Sequence, residues 1–285
     1  MNKREFLSAG VGAGMGVGLG LGAARAASAQ PLTADQQRIQ RETRRAAQVP
    51  HRQVKSTLMF KSPEGYPNGM DVAPEGFWVA EQLTVEGIGS SSNVNLVDPN
   101  GKLLKTVRTE SKNTSGLAYG GGYLWVGGNA EPNGIYQTDL NSRLVARRDI
   151  PLGGGGDHGA AYHEGKVYLT ANRLRGILRV DAKTWAPEYL IPWTFPRTHD
   201  IAYDKGALWM VTGSGVGAGE IAGLAKYDAA TGALLETAEF VPGSADPHGL
   251  ACRDGVLYSC DAGVHPGWEL HRSPASGYIF RIDFV

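Results

Sequence analysis

The 285-residue chain is poor in cysteine, with only two, and has no excess of either charge: 28 Lys and Arg stand against 28 Asp and Glu. Two cysteines exclude a disulfide-scaffolded fold and a four-cysteine zinc module. The balanced charge argues against a nucleic-acid surface, which needs a concentrated excess of Lys and Arg, so no nucleic-acid partner is expected. Long apolar runs are missing too. The uncharged stretch from Ser8 to Ala24 is weakly apolar, and at about 17 residues it is marginal for crossing a bilayer, so no stable membrane span is expected. What the chain does have is 42% hydrophobic residues and 40 glycines, enough apolar surface to bury a core over this length.

Residues 1–29 read as an export signal. Met1 to Leu7 carry the positive charge, Ser8 to Ala24 form the uncharged middle, and Ala27-Ser28-Ala29 is a small-x-small cleavage site. Lys3-Arg4-Glu5-Phe6-Leu7 resembles the twin-arginine signal, with Lys3 in place of its first Arg. A periplasmic or secreted protein follows from this reading. Residues 30–50 form a polar N-terminal segment in which Leu32 to Val49 suggest one short helix, opened by the cap-like Thr33-x-Asp35. From residue 51 to 285 short β-branched and aromatic runs alternate with Gly, Asp and Asn, the pattern of an all-β domain.

That domain repeats itself. Gly69-Met-Asp-Val-Ala-Pro-Glu-Gly-Phe-Trp-Val, Gly116-Leu-Ala-Tyr-Gly-Gly-Gly-Tyr-Leu-Trp-Val, Gly159-Ala-Ala-Tyr-His-Glu-Gly-Lys-Val-Tyr-Leu, Asp200-Ile-Ala-Tyr-Asp-Lys-Gly-Ala-Leu-Trp-Met and Gly249-Leu-Ala-Cys-Arg-Asp-Gly-Val-Leu-Tyr-Ser align, starting 47, 43, 41 and 49 residues apart. This is the spacing of propeller blades. Each unit has a small-residue strand, a tight turn of the Asp-Gly or Glu-Gly kind, and a Leu-Trp-Val type strand. A third strand then ends in Asp98, Asp139, Asp181 or Asp228 before a turn into a fourth. The last unit stops after its third strand, Tyr278 to Asp283, while Val54 to Phe60 is a strand without a partner. The expectation is a single β-propeller of four-stranded blades. Five are counted, six are possible with one degenerate blade, and the N-terminal strand closes the ring.

On these repeats the chain resembles the bacterial propellers that include virginiamycin B lyase, NHL-repeat proteins and the gluconolactonase or senescence-marker lactonases. Gly69 to Glu81 is closest in style to the lyase repeat. The resemblance implies a propeller and leaves activity open, because the group holds lyases, lactonases and binding modules.

The residue before each aligned start is Asn68, Ser115, His158, His199 and His248. First strands line a propeller's channel, so these five positions form a ring, and three imidazoles in a narrow channel can converge on one ion. His158, His199 and His248 are therefore candidate ligands of a divalent transition metal, with Zn, Fe, Mn or Cu all allowed by the ligand type. The alternative is a ring of structural histidines satisfied by carbonyls and water. The amidating lyase domain that acts on peptidyl hydroxyglycine is also a propeller with zinc on three channel histidines, and this likeness implies the metal reading.

Strand polarity gathers the long connections on the histidine face: Gln82 to Asn93, Ile150 to Asp157, Leu190 to Thr198, Gly213 to Gly223, Val241 to Pro247 and Asp261 to Ser276. On this rim Glu81 and Asp261 are candidate catalytic carboxylates, able to take the second ring N–H of a ligating histidine or to move a proton. Arg173 and Arg197 are candidates for orienting a substrate carboxylate, Trp193 and Trp268 for an aromatic wall, and His271 for a lid. The Gly153–Gly156 and Gly213–Gly219 runs lack the Lys-Ser/Thr ending of a phosphate loop and read as rim loops. With Asp254-Gly255 as a two-residue turn, Cys252 and Cys260 face opposite sides of their sheet, which rules out a disulfide between them. Taken together, the expectation is an exported monomer acting on an oxygen-bearing small-molecule substrate as a lyase or as a lactone or ester hydrolase. A binding or scaffold propeller and a redox-active Fe or Cu enzyme are the alternatives.

Overall fold

The computed structural model describes residues 37, 41, 46–82, 91–193, 198–213, 222–262 and 275–285. The export signal, most of the 30–50 segment, and Arg197, Trp268 and His271 lie outside the described residues. Gln37, Arg41 and Ala46 have helical backbone. Among the described residues no helix is long and apolar enough to cross a membrane.

The chain begins its β structure with β1 (His51–Lys61) and then builds blades. Blade 1 is β2 (Pro67–Ala73), β3 (Gly76–Glu81), β4 (Ser91–Val97) and β5 (Leu103–Lys112). Blade 2 is β6 (Thr114–Gly120), β7 (Tyr123–Gly128), β8 (Gly134–Asp139) and β9 (Leu144–Arg148). Blade 3 is β10 (Asp157–His163), β11 (Lys166–Ala171), β12 (Gly176–Asp181) and β13 (Pro187–Pro192). Blade 4 is β14 (Asp200–Asp204), β15 (Ala207–Thr212), β16 (Gly223–Asp228) and β17 (Leu234–Phe240). Blade 5 is β18 (Leu250–Arg253), β19 (Val256–Cys260) and β20 (Tyr278–Phe284), and β1 is its outer strand, antiparallel to β20 from Val54 opposite Phe284 to Lys61 opposite Tyr278. The closing strand therefore comes from the other end of the domain, as the unpaired Val54–Phe60 pattern implies. β1 also runs parallel to β17, His51 to Val54 against Thr237 to Phe240, so blades 4 and 5 merge at the rim into one eight-stranded sheet.

The buried side chains count the blades independently. They fall into five clusters, one at each junction between neighbouring blades. Alternation along each second strand sends successive residues to opposite faces. Thus Trp78 packs toward blade 2 with Leu117 and Leu124, while Phe77 and Val79 pack toward blade 5 with Ala251 and Ile279. Among the described residues no junction is left for a sixth blade.

Turn chemistry explains the hairpins. In blades 3 to 5 the inner turn is Glu164-Gly165, Lys205-Gly206 or Asp254-Gly255, each with two positive φ values, the geometry that matches strand twist in a two-residue hairpin. Blade 1 differs from the expected Glu-Gly turn. Ala73 pairs with Gly76, so Pro74-Glu75 make the turn and Gly76 belongs to β3. A Cβ at Gly76 would lie 1.8 Å from the Val97 carbonyl oxygen, which is why that strand position is glycine. At the outer turns, Asp98, Asp139, Asp181 and Asp228 each accept two backbone N–H groups on Oδ1, from Asn100 and Lys102, Asn141 and Arg143, Lys183 and Thr184, and Ala230 and Thr231. Asp283, their counterpart in blade 5, accepts the Thr57 hydroxyl of β1 at 2.5 Å and the Arg281 Nε at 2.6 Å. Cys252 stands opposite Leu257, and both cysteines are free and buried, in agreement with the geometric exclusion of a disulfide.

Candidate functional site

Five inner strands, β2, β6, β10, β14 and β18, meet around the axis in a closed ring. They approach so closely that a Cβ at Gly69 would lie 2.8 Å from the Gly116 backbone, one at Gly116 2.5 Å from Gly159, one at Gly159 2.5 Å from Asp200, and one at Gly249 2.9 Å from Gly69. Glycine is thus the ring residue in four blades because backbone meets backbone there. In blade 4 the same position is Asp200.

Asp200 fills the axis. Its Oδ1 accepts the N–H of Ile201 at 2.8 Å and of Ala160 at 3.2 Å; its Oδ2 accepts the N–H of Leu250 at 2.9 Å and of Met70 at 3.3 Å. These are the residues one position beyond the ring in blades 4, 3, 5 and 1. The inner edge of a first strand has no neighbouring strand to receive its N–H groups, and buried donors need acceptors. Asp200 is fully buried. Burial pushes its carboxyl well above the ordinary carboxylate range, against the pull of the N–H bonds from Leu250, Ile201 and Met70. The repeat alignment carries the signal, one aspartate in a column of glycines, but gives no hint that three other strands would converge on it.

Just before the ring position stand the three histidines. The imidazole centroids of His199 and His248 are 4.3 Å apart, and those of His158 and His199 are 6.2 Å apart, both pairs edge to face. His199 and His248 are each only 2% exposed. The three histidines of blades 3 to 5 are neighbours in the ring. Among the described residues, however, no group of three or more His, Cys, Asp or Glu is disposed to hold a metal ion, so the three imidazoles are neighbours along the ring without forming a closed coordination sphere.

The neighbours fix how these rings are held. The Nδ1 of His248 lies 3.2 Å from the carbonyl oxygen of Asp246. A carbonyl can only accept, so Nδ1 carries the proton in this contact. Ser115 Oγ is 3.3 Å from His158 Nδ1. The Thr170 hydroxyl accepts the backbone N–H of His158 at 2.9 Å and donates to Asp157 Oδ1 at 3.0 Å. Burial drives the Asp157 carboxyl well above its ordinary range. Asn68, in the same ring, donates its amide to the Thr114 carbonyl at 3.3 Å, and its buried Oδ1 has no partner among the described residues.

Glu81 and Asp261 occupy equivalent places at the ends of the second strands of blades 1 and 5, and both are buried. Glu81 accepts the N–H of Tyr66 at 3.0 Å and of Glu64 at 3.4 Å and the Ser62 hydroxyl at 3.5 Å, so it anchors the loop leading to Asn68. Burial, with the Glu64 charge beside it, pushes its carboxyl up to about 8. Asp261 Oδ2 accepts the N–H of Asp246 at 3.0 Å, and so reaches His248 one step back, through the Asp246 carbonyl. Asp246 itself did not stand out in the sequence. Its Oδ1 and His199 Nε2 lie 2.9 and 3.0 Å from the point where a Gly213 Cβ would stand, so the glycine leaves room for both. Arg173 is exposed, with its stem against the Gly155 loop. Trp193 does not form a wall: it is 8% exposed and packs into the junction of blades 3 and 4 with Ile177, Ile191 and Ile201.

The ring of five four-stranded blades makes the chain a β-propeller. Its backbone is similar to hydrazine synthase from Kuenenia stuttgartiensis, at 14% identity over 79% of this chain and 64% of that one (TM-score 0.49). It is also similar to virginiamycin B lyase from Staphylococcus aureus, at 18% identity over 79% and 69% (TM-score 0.46), and to the computationally designed Ika8 protein, at 11% over 77% and 71% (TM-score 0.43). The chain thus spans less than two thirds of the hydrazine synthase chain. No family model matches the sequence, and no curated protein does.

Proposed function

We propose that the protein is an exported propeller enzyme whose centre is the row of His158, His199 and His248 along the ring, and that these three take up a divalent transition metal, Zn, Fe, Mn or Cu. The observation that carries this reading is the edge-to-face approach of His199 and His248 at a centroid separation of 4.3 Å, with His158 next in the ring. Three imidazoles on rigid strands suit such an ion chemically. In the arrangement described, a side-chain rotation would be needed to bring the third ring onto the ion. Bound there, the metal supplies Lewis acidity toward a substrate oxygen.

The chain's own groups set the rest. The Asp246 carbonyl holds the His248 tautomer, and Asp261 holds Asp246. The Asp246 carboxylate, beside His199, is positioned to receive or return a proton. Asn68 Oδ1 offers a buried acceptor to a ligand hydroxyl. The substrate class is an oxygen-bearing small molecule and the reaction a lyase or lactone/ester hydrolase type. The second reading, a binding propeller with a structural histidine ring, is favoured by the lack of a closed ligand cluster among the described residues.

Elemental analysis of protein purified without chelator or affinity metal separates the two. About one equivalent of transition metal in the parent, and none in a His158→Ala/His199→Ala/His248→Ala variant with an unchanged β-type circular dichroism spectrum, supports the enzyme. No metal in the parent after dialysis against each of the four ions leaves the binding propeller.

A further inference from the structure

We infer that the propeller axis is a small-anion site built from backbone N–H groups, and that Asp200 is its resident ligand. This inference is independent of any metal at the histidines. Its parts are already in place: N–H donors from Met70, Ala160, Ile201 and Leu250 converge from four blades on one carboxylate, over 2.8 to 3.3 Å. Convergent backbone N–H groups in a buried concavity make an anion site wherever they occur in proteins. Here the occupant is a covalently tethered carboxyl group, because the ring position that is glycine in blades 1, 2, 3 and 5 is aspartate in blade 4.

Three features distinguish this from ordinary packing. The donors come from separate blades and are brought together by the fold as a whole. The ring glycines leave no side chain of their own at this level, so without Asp200 the donors would face an empty pocket. The carboxyl group also stands next to His199 in the chain and is fully buried among the inner strands. The occupant that fits is a planar or spherical monovalent anion of carboxylate size: formate, acetate or chloride.

Replacement of the tether tests the site by chemical rescue. Asp200→Gly restores the residue that the other blades carry and leaves the N–H donors exposed. The expected result is a fall in melting temperature of about 5–10 °C. Sodium formate should then recover part of the loss in a saturable way, while parent protein in the same salt series shows only the small unsaturating shift of ionic strength. The amide protons of Met70, Ala160 and Leu250 should sit downfield in the parent, move upfield in Asp200→Gly, and return with formate. Asp200→Asn keeps the shape but turns an amide N–H2 against two donors, so it should be less stable than the parent, and formate should not rescue it. An Asp200→Gly protein as stable as the parent, or one that formate stabilises no more than it does the parent, would overturn the inference. Should Asp200→Gly fail to fold, an Asp200→Asn protein with the parent's melting temperature, or parent amide protons without the downfield shift, overturns it equally.

Discussion

Blades 3 to 5 and blades 1 and 2 share one backbone plan but differ in what they offer the channel. The former place imidazoles at one height; the latter place Asn68 and Ser115, each tied to the neighbouring blade, Asn68 through the Thr114 carbonyl and Ser115 through His158. Backbone repetition delivers position, and side-chain identity delivers chemistry. The same lesson appears one residue further on, where four glycines and one aspartate occupy equivalent sites and only the aspartate brings a side chain. It appears again at Glu81 and Asp261, equivalent carboxylates that anchor equivalent loops, of which only the second leads to a histidine.

The shared plan breaks most severely at the ring itself. Gly116→Ala forces a Cβ to within 2.5 Å of Gly159 at a φ of +82°, with only backbone to yield. It should cost more than about 3 kcal/mol, read as loss of soluble folded protein or a large fall in denaturation midpoint. Gly122→Ala, also at positive φ but with nothing within 4 Å, should cost about 1 kcal/mol.

The difference in chemistry is sharpened by comparing ligand substitutions. His248→Ala or His199→Ala should abolish stoichiometric metal uptake, measured by competition with a chromogenic chelator. Asn68→Ala and Ser115→Ala should weaken it only by about tenfold, as supporting groups do. Equal losses for all four would erase the distinction between the two sets of blades.

A smaller effect distinguishes the two loop-anchoring carboxylates. Glu81 titrates near 8 in the folded protein and near 4.5 when unfolded. Between those values the native state holds a proton that the unfolded state has released, so the contribution of Glu81 to stability is complete at low pH and is lost as pH rises toward 8. Glu81→Gln should remove up to one proton from the pH slope of urea-unfolding free energy across pH 5–8. An unchanged slope would show that Glu81 stays ionised under its loop. The smallest effect is expected at the rim, where Lys166 bridges Asp181 at 3.0 Å and Glu188 at 2.5 Å in contact with solvent. Lys166→Met should leave the midpoint of unfolding within error.

Much of the fold was legible because propeller repeats write their turns into the sequence. The five aligned units, the third-strand aspartates and the orphan N-terminal strand each specify local geometry, and the ring follows from their sum. The site was legible in height only. Repeat register places His158, His199 and His248 in one ring, yet rotamers and the 4.3 and 6.2 Å separations depend on contacts between blades that no local pattern encodes. Trp193 misled for a related reason: a tryptophan just past a strand end on the long-loop rim suggests a wall, whereas the gap between blades 3 and 4 had room for it in the core. Asp246 and Asp200 went unremarked because an isolated aspartate near a turn or strand end is ordinary, and their importance comes from strands and loops distant in sequence.

The central claim, that the histidines of blades 3 to 5 act as one centre, is tested most directly by titrating metal-free protein with cobalt(II) and recording its visible absorption. Saturation at about one equivalent, with d–d bands typical of nitrogen-ligated, low-coordinate cobalt and their loss in His248→Ala, is the expected result. A featureless titration indistinguishable from that of the triple histidine variant would contradict it.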